Sequence, residues 1–255
     1  ISCLTVLFIN KDKVQPDLKA KVDQSNEKIN ILMIEPDYYL SLISKNKYVH
    51  EVCNLVFEGL TKKNDELKAE PQLAKLILTD DNLEWEVTLR DDVYFHNDEK
   101  FTASDVAFTI KKIRELGEQS YYMYNIQNIK SVEILSDYKI KIELNDYDNF
   151  LPEKLNFPIL CEKFYKKSDF TTESRYVGTG PYEVITNNKE FISLKYNKNY
   201  YDQSVGNVKD IDVKIIAKTR PGFDLLKLGE IDIADTNTEV GAYGRSAYNN
   251  SKYVT

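Results

Sequence analysis

Apolar and polar positions alternate most regularly at Leu83-Glu-Trp85-Glu-Val87-Thr-Leu89-Arg90, where each odd position is apolar. A period of two predicts a half-buried strand with Trp85 on its core face. Asp91-Asp92 then predicts a tight turn, with Val93-Tyr94-Phe95-His96 returning as the partner strand and Asn97-Asp98 turning the chain again. The next segment changes period. Thr102-Ala-Ser-Asp105 has the spacing of a capping box, and Val106, Phe108, Ile110 and Ile113 form an apolar stripe, so a helix is expected to start there, pack on the hairpin and stop at Gly117.

The same patterning organises the rest of the chain. Ile29 to Ile34 (INILMI) reads as a buried strand closed by Glu35-Pro36-Asp37. From Val49, the positions Val52, Leu55, Val56 and Leu60 recur at helical spacing with Gly59 near the end; Cys53 there is a small packed side chain and His50 a solvated polar residue. Ser131 to Leu135 and Lys139 to Leu144 predict a hairpin, as do Tyr182 to Ile185 and Phe191 to Tyr196. Val208 to Ile216, Arg220 to Leu228 and Ile231 to Ala234 predict strand, helix and strand, with Gly229 capping the helix. That is a βαβ unit, whose strands should be parallel with a right-handed crossover. The fold class is α/β in the mixed α+β sense.

Composition narrows the function. With 42% hydrophobic and 29% charged residues among 255, the chain has a soluble globular balance, and 9 glycines and 7 prolines exclude collagen-like and low-complexity readings. A net charge of −7 disfavours nucleic acid as a partner, because phosphate neutralisation needs a basic surface. The two histidines, His50 and His96, cannot build a His-rich zinc site, and no HExxH occurs. The three cysteines share no CxxC spacing, so no redox motif or disulfide framework is expected. No cofactor or metal is expected.

Several motifs have both a chemical and a plain reading. Gly178-x-Gly180 lacks the remainder of GxGxxG, and Pro181 leads into a strand, so a tight bend is preferred to a phosphate cradle. The pairs Asp80-Asp81, Asp91-Asp92 and Asp98-Glu99 could supply carboxylates for glycoside hydrolysis, but each falls in a predicted turn, where Asp bonds its own backbone. His96 beside Asp98 and Glu99 could bind a cation; a strand-end histidine is the plainer account. No GxSxG elbow is present, and no catalytic constellation stands out. The 18 tyrosines differ, since Tyr38-Tyr39 and Tyr121-Tyr122-x-Tyr124 lie outside the core stripes. Amphipathic rings lining a cleft suit peptide or sugar recognition, with compositional bias as the alternative.

Ile1 to Ile9 (ISCLTVLFI) is apolar but shorter than the roughly 20 residues a membrane span needs. It is expected to be the tail of a truncated signal or anchor, with the polar run to Lys28 as a tether. Ile1-Ser2-Cys3 matches the end of a lipobox, making Cys3 a candidate lipidation site. Apolar residues follow Cys3 where a polar tether would be usual, so a plain cysteine within an anchor is the competing reading.

Between Val56 and Phe108 the chain carries Val56-Phe57-Glu58-Gly59-Leu60, Glu70-Pro71-x-Leu73-Ala74, Trp85-x-Val87-x-Leu89-Arg90-x-x-Val93-x-Phe95-His96 and Phe101-Thr102-Ala103-x-Asp105-Val106. In these residues, their order and their spacing it resembles the extracellular solute-binding proteins of family 5, the oligopeptide, dipeptide and nickel receptors of ABC importers. Gly178-Thr179-Gly180-Pro181-Tyr182 and Leu228-Gly229-Glu230-Ile231-Asp232-Ile233-Ala234 extend the likeness across about residues 30 to 240. The turn after His96 departs from it, carrying Asn97-Asp98-Glu99 where the family usually has a glycine.

The resemblance implies a periplasmic-binding-protein-like type II lobe with an inserted hairpin and helix subdomain, the second lobe missing. On that basis residues 1–28 are anchor and tether, 29–45 plus 158–255 the base of the lobe, and 46–157 the insertion. It implies a non-enzymatic, extracytoplasmic receptor, monomeric and membrane-tethered or periplasmic, that delivers peptides or another small solute to ABC permease subunits. Ligand contacts are expected at Glu35, Asp37, Tyr38, Tyr39, Tyr122, Tyr124, Asp235 and Thr236. A lone lobe should hold peptide weakly, since it covers one side of the ligand. Rival readings are the sensing domain of a transcriptional regulator, which needs an upstream helix-turn-helix, and a carboxylate-based hydrolase on an unrelated fold.

Overall fold

A computed structural model describes residues 28–204, 208–217, 225–226 and 228–233. In chain order the elements are β1 (Lys28–Ile34), α1 (Lys47–Val56), β2 (Thr61–Lys63), β3 (Ala69–Pro71), β4 (Ala74–Thr79), β5 (Glu84–Leu89) and α2 (Ala103–Leu116). They continue with α3 (Met123–Ile126), β6 (Ile129–Ser136), β7 (Lys139–Leu144), α4 (Leu151–Lys154), α5 (Glu162–Tyr165), β8 (Tyr182–Asn187), β9 (Phe191–Tyr196) and β10 (Asp210–Ile216).

The chain divides into two compact units. The larger takes Pro36–Val184 and Asn197–Val205; the smaller takes the described parts of Ile1–Glu35, Ile185–Tyr196 and Gly206–Thr255. Residues 36–45 and 158–184, expected with the base of the lobe, group with the larger unit.

The larger unit is built on an antiparallel sheet ordered β4-β5-β7-β6. The alternation that predicted β5 holds: Trp85, Val87 and Leu89 are buried, as are Ile140, Ile142 and Leu144 of β7. Helix α2 lies on this face with Val106, Ile110 and Ile113 buried. Its start is fixed as the capping box requires, with Asp105 accepting from the Thr102 amide at 2.8 Å, and it ends at Gly117, whose φ is 54°. The opposite face carries a charge ladder of Lys139–Glu86 (2.6 Å), Lys141–Glu84 (2.7 Å) and Lys130–Glu143. Opposite charges on adjacent strands add modest cross-strand support and keep that face hydrated.

Two expectations change, and the strand β4 is additional. Val93 to His96 is no partner strand of β5; it closes a short loop through a single Tyr94↔Lys100 bridge, and β5 pairs with β4 and β7 instead. The helix from Val49 starts at Lys47 and ends at Val56, so Leu60 lies beyond it, buried in a loop. β4 carries no clean alternation because it is an edge strand with Leu76 and Leu78 exposed.

The smaller unit holds a sheet ordered β1-β10-β9-β8, with β8 divided between the units at Val184. β1 runs parallel to β10, Ile31 opposite Val213, while β9 and β10 are antiparallel. Ile233 bridges in parallel to Ile31 on the other side of β1. The predicted parallel relation therefore holds through an interposed strand. Asp232 fixes it, accepting from the Asn30 amide at 2.7 Å and from Asn30 Nδ2 at 3.0 Å. Of the expected helix Arg220 to Leu228, most lies outside the described residues.

Candidate functional site

Pro36 ends the first strand's ladder, and the chain from there to Asn46 is organised by one side chain. Asp37 Oδ1 accepts from the Tyr38 amide (2.8 Å) and the Ser44 hydroxyl, and Oδ2 accepts from the Lys45 amide at 2.9 Å. Burial opposes ionisation of Asp37, but these hydrogen bonds outweigh it and hold the carboxyl below its ordinary value. Asn46 then caps α1, accepting from the Tyr48 amide at 3.0 Å. The loop so formed leaves Tyr38 exposed and Tyr39 half-buried.

His50, on the first turn of α1, joins this loop to the second tyrosine cluster. Its Nε2 faces the Ser44 carbonyl at 2.8 Å and therefore carries the proton, leaving Nδ1 to accept from the Tyr122 hydroxyl at 3.3 Å. The Tyr121 ring lies 4.1 Å from the imidazole, centroid to centroid. Backbone bonds reinforce the join, since the Tyr121 amide (2.7 Å) and the Ser120 hydroxyl (3.1 Å) both donate to the Leu42 carbonyl. Burial lowers the His50 pKa, against opposing contributions from Ser44 and the Asp37 charge. Burial likewise pushes the Tyr122 hydroxyl up and the Cys53 thiol to about 11, so neither ionises near neutral pH. The Cys53 thiol points at the Tyr39 carbonyl, 3.6 Å away.

Of the expected contacts, the structure brings Tyr122 and the Asp37 charge to His50, while Tyr38 and Tyr39 lie in the loop that Asp37 and Ser44 organise. Tyr122 is buried with its hydroxyl turned inward, whereas Tyr121 is 52% and Tyr124 79% exposed. Tyr121, rather than Tyr122, is the neighbour that presents its ring outward. Glu35 ends β1 in the smaller unit, its amide donating to the Ile216 carbonyl at 2.9 Å. Asp235, Thr236 and Cys3 lie outside the described residues. His50 was read as solvated, yet it is half-buried with both ring nitrogens engaged. No local pattern could have announced this, because its partners are a loop carbonyl and a hydroxyl 72 positions away.

The remaining candidates resolve as structure. Both ring nitrogens of His96 are engaged by backbone: Nε2 meets the Gly180 carbonyl at 2.9 Å and Nδ1 the Gly178 amide at 3.4 Å. Gly178 and Gly180 pack against α1 so closely that a Cβ would stand 2.0 Å from the Val56 carbonyl oxygen or 2.6 Å from that of Leu55. Asp81 accepts from the Leu83 and Glu84 amides, and Asp91 pairs with Lys75, as turn residues do. Among the described residues no group of three His, Cys, Asp or Glu side chains could hold a metal ion.

Among the described residues these side chains form no catalytic constellation, and comparison with known proteins supplies the class: solute-binding proteins. The family model for bacterial extracellular solute-binding proteins, family 5 Middle, matches residues 68–252, and the chain belongs to that family. The Dipeptide-binding protein of Lactococcus lactis subsp. cremoris is 29% identical over 252 residues, covering 87% of this chain and 46% of that protein. Oligopeptide-binding protein OppA of Bacillus subtilis is 28% identical over 207 residues, covering 72% and 38%. The structure of NikZ from Campylobacter jejuni, in complex with Ni(L-His), superposes with a TM-score of 0.71 at 29% identity, over 81% of this chain and 42% of that one. The chain spans about half the length of the curated relatives it matches or less.

Proposed function

We propose that this chain takes part in peptide capture as the substrate-binding component of an ABC importer, on the extracytoplasmic side of the membrane, handing its ligand to permease subunits. The observation that carries the reading is the bracket made by His50, which brings the Asp37–Tyr39 loop beside Tyr121 and Tyr122. Peptide recognition uses amphipathic rings that tolerate varied side chains, and the exposed rings of Tyr38, Tyr121 and Tyr124 are of that kind. Glu35, Asp37, Tyr38, Tyr39 and Tyr124 are the proposed contacts, with exposed Tyr121 in place of buried Tyr122 and with Asp235 and Thr236 further along the chain. Membrane attachment through the apolar N-terminal segment or a lipid on Cys3 completes the proposal.

A nickel complex is the second reading, supported by the likeness to NikZ. Ring resonances of Tyr38, Tyr39, Tyr121 and Tyr124, followed by NMR while peptide or Ni(L-His) is added, separate the two. Peptide is expected to shift these signals, and Tyr124→Ala to weaken the response severalfold without loss of fold. Shifts with Ni(L-His) and none with any peptide would overturn the peptide reading.

A further inference from the structure

The larger unit contains a buried carboxylate that the ligand-site reading leaves unused. Glu58 is 3% exposed, and four donors converge on it. Oε1 accepts from the hydroxyls of Tyr200 and Tyr201, each at 2.7 Å, and from Gln72 Nε2 at 3.0 Å; Oε2 accepts from Thr179 Oγ1 at 2.9 Å. The Arg90 guanidinium lies 4.2 Å from the Tyr201 ring centroid and pairs with Asp92 at 2.6 Å, closing the far side of that ring. A buried carboxylate is tolerated only when its lone pairs are filled, and here they are.

Tyr200 and Tyr201 sit in a segment with an unusual place in the chain. Residues 197–205 belong to the larger unit, whereas β9 before them and β10 after them belong to the smaller. The described part, 197–204, joins no strand or helix. Its own bonds are local: the Tyr200 amide to the Asn197 carbonyl at 3.0 Å, the Asn199 amide to Asn197 Oδ1 at 2.9 Å and the Ser204 amide to Asp202 Oδ1 at 3.0 Å. Its hydrogen bonds to the body of the unit are the Asn197 amide on the Pro181 carbonyl at 2.8 Å and the two phenols on Glu58, beside the Arg90 stacking on Tyr201 and the burial of the Tyr200 ring. A segment without a ladder opens at a low local cost unless side chains hold it.

We propose that residues 197–204 form a strap fastened to the larger unit by Glu58, and that losing this acceptor lets the strap open by itself while the sheet beneath stays closed. The four donors need an oxygen acceptor more than a negative charge. A glutamine with its carbonyl oxygen in the Oε1 position still accepts from Tyr200, Tyr201 and Gln72, and its amide can donate to Thr179 Oγ1. Alanine at the same place takes the acceptor from all four donors: the two phenols, the Gln72 amide and the buried Thr179 hydroxyl.

Hydrogen exchange with mass spectrometry on the full 255-residue chain tests this. In Glu58→Ala, peptides covering 197–204 are expected to exchange at least about tenfold faster, the factor that losing two ordinary hydrogen bonds, those of Tyr200 and Tyr201, represents. β5 and β7 should keep wild-type protection, and Glu58→Gln should restore most of the loss in the strap. Should Glu58→Ala fail to fold, the double variant Tyr200→Phe with Tyr201→Phe keeps both rings and removes only the donors. Wild-type exchange over 197–204 in that double variant, or exchange of strap and sheet rising together, would overturn the proposal.

Discussion

His96 shows how one side chain can be required in one protonation state. Its Nδ1 faces a backbone N–H and its Nε2 a carbonyl, so only the neutral imidazole with the proton on Nε2 satisfies both. Burial lowers its pKa from the ordinary 6.5, with the Gly180 carbonyl pulling the other way. A histidine depressed in the folded state contributes stability that is present above its unfolded pKa and is lost as pH falls through that value toward the folded one. Glu58 and Asp105 act in the opposite sense, because burial raises both. The net slope therefore mixes signs, and a difference measurement isolates the histidine. Between pH 7 and 5, the urea midpoint of wild type should fall more than that of His96→Gln, which still donates to Gly180 but does not titrate in this range. Equal slopes for the two proteins would show that His96 is not the acid-sensitive group. In the sequence His96 offered only a strand end and two acidic neighbours, since what it grips lies 82 and 84 positions on.

At the scale of elements, local signals were legible and packing constraints were not. The alternation of Leu83 to Arg90 and the capping box at Thr102 name their elements because the periodicity and the cap are carried by adjacent residues. β4 escaped because its outward positions are apolar, and an edge strand need not alternate. The pair of glycines in Gly178-Thr179-Gly180 was read as a bend; the structure supplies the reason, which is the backbone of α1 pressed against them. Two substitutions distinguish these causes. Gly117→Ala puts a Cβ in open space but requires alanine to hold φ 54° with ψ −129°, outside the left-handed helical basin, at about 2 kcal/mol. Gly178→Ala must move the Val56 carbonyl and should cost more, about 3 kcal/mol or above, as overpacking at a rigid backbone does. Denaturant midpoints of the two variants check the order, and equal losses would mean that α1 yields readily. The capping box gives a third measurement. Asp105 holds the Thr102 amide and also accepts from the Glu162 amide at 2.8 Å, tying the start of α2 to α5, so Asp105→Ala should exceed the ~1 kcal/mol of an ordinary cap.

Across the whole molecule, the two sheets differ in how far apart in sequence their strands lie. In the larger unit β6 and β7 are a hairpin, Ile134 opposite Ile140, and β5 joins them through pairs such as Val87 with Ile140. In the smaller unit β1 must find β10, with Ile31 opposite Val213, and residue 233 must then reach β1 from the other side. Non-local pairing requires closing a long loop before any contact rewards it, so sheets of this kind form late. The sequence named β1 and β10 as strands and the last segment as parallel, but not which strand lay between, because nothing local encodes a partner so distant. Refolding followed by pulsed hydrogen exchange should therefore protect the amides of β5, β6 and β7 before those of β1 and β10. β1 is also the segment the smaller sheet can least spare, being paired along its length to β10 and bridged at Ile31 to Ile233. Replacing Ile31 by proline removes a ladder donor between those two partners. That variant should lose protection throughout β1 and β10 while the β5–β7 pairing keeps its own. Simultaneous protection of both sheets in wild type, or their joint loss in Ile31→Pro, would mean that the two units fold as one.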